Sequence, residues 1–119
     1  MDRSKNIIQQ RTFALALRVI QLVEYLEKEE REYVLSKQLM RSGTAVGALF
    51  REAEHVESKK DFIPKMSISL KEANETKYSL DLLAESGLVT KEGLTQLQED
   101  GIEVIKILVS IVKSSKNNV

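Results

Sequence analysis

One proline and five glycines in 119 residues leave this chain few places to end a helix or turn a strand. An all-β domain needs turn residues roughly every 8–12 positions, and this sequence does not have them. Its β-branched residues are scattered among Leu, Ala, Glu and Lys rather than alternating with polar ones. A few long helices are therefore predicted. With 42% apolar residues the chain is long enough to close one core without staples. The reading is an all-α fold: a single domain over 1–119, built as an up-down-up-down antiparallel four-helix bundle.

The apolar spacing places the helices at about 4–29, 31–56, 58–85 and 90–113. In the first, Ile8, Leu15, Val19, Leu22 and Leu26 form one line, and Phe13, Leu17, Ile20 and Val23 form a second beside it. Two lines make a wider apolar surface than a bundle helix needs. In the second helix Leu35, Leu39, Val46, Leu49 and Phe50 are predicted to face inward. Gly43 and Gly47 stand four apart there. Each costs about 1 kcal/mol against alanine within a helix, so either a neighbouring helix approaches closely or the cost is tolerated.

The third helix opens at Ser58-Lys59-Lys60-Asp61, which has the spacing of a capping Ser with an acid three residues on. It continues through Phe62, Met66, Ile68, Leu70, Ala73, Leu80 and Leu83, with Pro64 slightly late for a first turn. Ser86-Gly87 ends it and Thr90 caps the fourth. From Ile102 to Val112 the fourth helix is apolar nearly all round, and a helix of that kind needs neighbours on two sides. Ser114 to Val119 is expected to fray.

Several function classes are excluded. With no cysteine there is no disulfide framework and no thiolate zinc site. Glu52-Ala53-Glu54-His55 has the Glu-x-x-His spacing of di-iron bundles, but that site needs two such motifs. One histidine supplies only one. Neither a nucleophile–base arrangement nor a glycine-rich phosphate loop is present. The reading is a non-enzymatic protein with no cofactor, no metal and no catalytic residue. The polar opening Met1 to Asn6 and the short apolar run in the last helix predict a cytoplasmic protein that does not span a membrane.

Short connections make successive helices antiparallel neighbours. About the turn near Glu57 and Ser58, residues whose numbers sum to about 116 lie level. Arg41 then meets Glu75, and Thr44 meets Glu72, giving a polar layer of Arg41, Thr44, Glu72 and Glu75. It reads either as an ion pair that fixes helix register or as an anion site built on Arg41. Eighteen basic and eighteen acidic residues cancel overall, yet the topology sorts them by end. Arg3, Lys5, Arg51, Lys59, Lys60, Lys65, Lys113 and Lys116 gather at one. That end would bind RNA or DNA through salt-sensitive phosphate contacts, or it is an ordinary solvated surface diluted by Asp2, Glu54, Glu57 and Asp61.

Leu35-Ser36-Lys37-Gln38-Leu39-Met40-Arg41-Ser42-Gly43-Thr44, Arg51-Glu52-Ala53, Glu57 to Ile63 and Ile68 to Thr76 together resemble the bacterial four-helix-bundle family encoded in intervening sequences of 23S rRNA genes. That family is also labelled S23 ribosomal protein and is related to the accessory variability proteins of diversity-generating retroelements. The matching positions are Gln38, Arg41, Ser42, Thr44, Glu52, Lys71, Glu72 and Glu75. The resemblance implies a homo-oligomer, a ring of five bundles. Through the retroelement relatives it also implies an accessory module that binds nucleic acid and a reverse transcriptase. Ala45, Leu49 and Phe50 stand where the family often has Ser, Asn and Tyr, and Ser79 where it has Trp. Along the second helix the departures therefore favour packing over hydrogen bonding.

Overall fold

The computed structural model describes the backbone of residues 3–117 and the side chains of residues 7–117. Among the described residues there are four helices and no strand: α1 (Arg3–Glu29), α2 (Val34–Glu54), α3 (Lys59–Ser86) and α4 (Lys91–Asn117). They pack as a square. α1 lies beside α2 and α4, α3 also lies beside α2 and α4, and the diagonal pairs are not backbone neighbours. The bundle is antiparallel, 47 Å long and about 20 Å across.

Sequence and structure differ at three helix ends. α2 begins at Val34 rather than near residue 31, because Arg31 takes a left-handed conformation with φ 52. Glu32 then caps the new start. Its carboxylate accepts from the amides of Val34, Leu35 and Ser36 at 3.2, 3.0 and 2.9 Å. α2 stops at Glu54, two residues early. α4 runs to Asn117, so residues 114–117 are helical rather than frayed; Asn118 and Val119 lie outside the described residues. The α3 start follows its capping signal, with Ser58 Oγ accepting from the Asp61 amide. Gly87, at φ 81, turns the chain out of α3 in a conformation that glycine adopts without penalty.

The α1 core line is buried: Ile8, Leu15, Val19, Leu22 and Leu26 join Leu39, Val46 and Phe50 of α2 in one core. The glycines of α2 account for how near α1 comes. A Cβ on Gly43 would sit 2.9 Å from both γ-carbons of Val19, and one on Gly47 would sit 2.9 Å from Thr12 Oγ1. Between α2 and α3 the core is partly a seam of small polar groups. Ser69 Oγ donates to the Val46 carbonyl at 2.8 Å. The Thr76 hydroxyl bonds Ser42 Oγ at 3.0 Å and the Glu72 carbonyl at 2.8 Å. Among the described residues no buried side-chain polar atom lacks a partner, so the seam carries no desolvation penalty.

Some apolar positions do not go where the spacing puts them. Ile68 is exposed, and Leu35, Leu49, Phe62 and Leu70 are only half-buried. α4 needs no outside neighbour along most of its apolar half, since Ile105, Ile107 and Ile111 pack against the bundle's own core. Only Ile102 there is exposed. α1 is different: Phe13, Leu17 and Ile20 of its second line are exposed.

Candidate functional site

The α2–α3 polar group is centred on Arg41. Its Nη1 donates to both carboxylate oxygens of Glu72, at 3.1 and 3.3 Å, and its Nη2 donates to Glu75 Oε2 at 3.0 Å. One guanidinium thus bridges two carboxylates one helical turn apart on α3, as its fork geometry allows. Thr44 does not join them; its hydroxyl turns back to the Met40 carbonyl at 2.7 Å. Nor is the group buried as a whole. The Arg41 side chain is 60% exposed while that of Glu72 is 11% exposed. Glu72 is therefore the desolvated member and Arg41 its cover. Hydrogen bonding from Arg41 holds the Glu75 carboxyl below the usual glutamate range, and Glu75 in turn raises Arg41. With both carboxylates on it, Arg41 has little charge left for an external anion.

An open groove of about 940 Å³ runs beside this group, lined by Gln38, Arg41, Lys71 and Tyr78 among others. Near its lower end Tyr78 is 65% exposed, with Val34 and Leu82 exposed at the same level of the bundle.

The second line of α1 divides. Val23 is in the core, but Phe13, Leu17 and Ile20 are 54%, 48% and 38% exposed. Their spacing of four and three puts them on one face, opposite the line Leu15, Val19 and Leu22. The guanidinium of Arg51 lies 5.8 Å from the Phe13 ring centre, a cation–π contact at the upper end of this strip.

The basic end gathers fewer available charges than the sequence count suggests. Lys65 pairs with Glu52 at 3.4 Å, and Arg51 is laid over Phe13. Lys59 and Lys60 open α3 beside Asp61. Among the described residues Lys60, Lys113 and Lys116 are exposed and lie in no ion pair. Arg3 and Lys5 belong to the α1 backbone, but their side chains lie outside the described residues. His55 ends α2 as an exposed C-cap residue. Among the described residues no group of three or more His, Cys, Asp or Glu could hold a metal ion, and no helix is long and apolar enough to cross a membrane.

Sequence reasoning missed two features: the Glu32 cap and the serine–threonine seam. The first had a weak signal in the polar run Glu29 to Glu32. The second had none, because buried serines on a helix look like surface serines.

Fold and site together define an all-α antiparallel bundle with a fixed α2–α3 ionic group and an uncovered apolar strip on α1. A family model described as 23S rRNA-intervening sequence protein matches residues 4–110, and the chain belongs to that family. A crystal structure from Bacteroides thetaiotaomicron VPI-5482, of a protein with unknown function from the S23 ribosomal protein family, is 43% identical. It has a TM-score of 0.87, and the match covers 89% of this chain and 98% of that one. None of the curated proteins matches.

Proposed function

We propose that this protein is a non-enzymatic structural subunit that works as a homo-oligomer. The observation that carries this reading is the strip Phe13, Leu17 and Ile20. Three large apolar side chains in line on one exposed helix face form a surface that association would cover. The five-membered ring implied by the family resemblance fits such a subunit. Replacing Leu17 by Glu places a charge in the middle of the strip. Circular dichroism is expected to stay helical while gel filtration shows the assembly reduced to monomers. A variant that elutes with the wild-type protein would remove this strip from the interface.

Nucleic-acid binding is a second reading, favoured by the exposed Lys60, Lys113 and Lys116 at one end of the bundle. Changing all three to Glu is expected to abolish a gel shift with RNA or DNA at low salt. An unchanged shift would place any binding elsewhere. Partnership with a reverse transcriptase would follow only from this second reading.

A further inference from the structure

The open groove beside the Arg41 group is lined by polar side chains that have bonding capacity left over. Ser67, Lys71, Asn74 and Tyr78 stand four, three and four apart, so α3 presents them as one stripe along it. Gln38 faces that stripe from α2. The Arg41–Glu75 bond sets the two helices level, and three residues from each of its ends Gln38 meets Tyr78.

Ser79 lies in the floor of the groove. It is only 5% exposed, and the seam bonds of Ser42, Ser69 and Thr76 do not include it. Every enclosed side-chain polar atom among the described residues has a partner. The Ser79 hydroxyl has none there, so it opens on the groove that it lines. A hydroxyl this far withdrawn from water is suited to a partner from outside the chain.

The remaining groups fix the chemistry of that partner. Lys71 is exposed and, among the described residues, in no ion pair. Its neighbour Glu75 is already held by Arg41, which leaves Lys71 as the cation of the groove open to an anion. Tyr78 offers an exposed ring at the other end. The two are seven residues apart, roughly 10 Å along the helix. Between them Asn74 gives its Nδ2 to the Leu70 carbonyl, leaving its Oδ1 as an acceptor. Gln38 brings an amide, donor and acceptor side by side, to the level of the ring.

A ligand that uses all of these carries an anion at one end, hydroxyls in the middle and a planar ring with a polar edge at the other. We propose that the α2–α3 groove binds a nucleoside monophosphate. The phosphate sits on Lys71, the sugar lies over Asn74 and Ser79, and the base stacks on Tyr78 with its edge at the Gln38 amide. A bare inorganic anion would meet Lys71 alone, because Arg41 is committed to Glu72 and Glu75. An apolar ligand would leave Ser79 and Gln38 without partners. At about 940 Å³ the groove has room for a molecule of this size. It lies on the flank of the bundle, away from Lys60, Lys113 and Lys116 at its end, and its use does not depend on self-association.

Amide NMR spectra of the full chain at low salt, titrated with AMP, test this, with adenosine and inorganic phosphate as separate arms. AMP is expected to move the amides of Gln38, Lys71, Asn74, Tyr78 and Ser79, and to bind about tenfold or more tightly than either part. Tyr78→Ala and Lys71→Ala replace exposed side chains. Circular dichroism should stay unchanged in both while each weakens AMP binding about tenfold. A triple variant with Lys60→Glu, Lys113→Glu and Lys116→Glu should bind AMP as the wild-type protein does. Phosphate binding as tightly as AMP would overturn the inference in favour of a bare anion site. AMP binding lost in the triple variant but kept in Tyr78→Ala would overturn it in favour of the basic end. So would groove amides that stay unmoved at millimolar AMP.

Discussion

Gly43 of α2 leaves the space that Val19 of α1 occupies: a Cβ at Gly43 would lie 2.9 Å from both Val19 γ-carbons. Val19 is fully buried and β-branched, so it cannot rotate away cheaply. Helix propensity alone would make Gly43→Ala stabilising by about 1 kcal/mol. Overpacking of a tight core costs about 1–3 kcal/mol and should exceed that gain. Urea denaturation of Gly43→Ala is expected to show a net loss of about 1 kcal/mol. Adding Val19→Ala should cost less in that background than in the wild-type protein. Additive effects would mean that the contact does not set the helix spacing.

The Arg41 group makes an opposite demand on its two acids. Glu72 is largely desolvated, so losing Arg41 leaves a nearly buried carboxylate without its cation. Arg41→Ala is expected to lower the urea midpoint, with Glu72→Gln recovering part of that loss in the same chain. Because Arg41 is mostly exposed, solvent screening keeps the effect below that of a fully buried pair. Unchanged stability, combined with lost binding of an anionic ligand, would instead make Arg41 a binding residue.

Much of this was legible before the structure. The height rule for α2 and α3 followed from one turn, and it places Arg41 beside Glu75. The fate of Phe13, Leu17 and Ile20 was not legible, because apolar periodicity records that a face avoids water without saying whose atoms cover it. The α2–α3 seam was illegible for the converse reason. Ser42, Ser69 and Thr76 satisfy their hydroxyls across the α2–α3 contact and, for Thr76, on its own helix, and so bury at positions that read as surface, while Leu35 and Leu49 remain half-exposed. Arg31 could not be found from residue type at all, since arginine carries no preference for a positive φ.

At Arg31 the left-handed backbone is strained for a residue with a Cβ. Arg31→Gly should relieve about 1 kcal/mol of strain and give back part of it as added freedom in the unfolded chain. A small net rise in thermal midpoint is expected; a fall would show that the Arg31 side chain contributes more than its backbone costs.

Glu32 should make the start of α2 sensitive to acid. Burial pushes its carboxyl up, but hydrogen bonds from Leu35, Ser36 and Val34 outweigh burial and hold it below the usual glutamate value. Glu75 is lowered as well, chiefly by Arg41. Groups depressed in the folded state stabilise it above the unfolded pKa and lose that contribution as pH falls through the folded value. The urea midpoint is therefore expected to stay level down to about pH 5 and to decline toward about pH 3. Glu32→Ala should cost about 1 kcal/mol at neutral pH and flatten that decline. An equally steep decline in the variant would assign the acid sensitivity to other carboxylates.

The claim on which the functional account depends is that the bundle does not work alone. Light scattering coupled to gel filtration of the wild-type protein at micromolar concentration tests it most directly. The expected mass is a whole multiple, greater than one, of the 13.5 kDa chain, with Leu17→Glu falling to the single-chain mass. A wild-type mass of 13.5 kDa throughout that range would contradict it and leave the α1 strip without the role assigned to it.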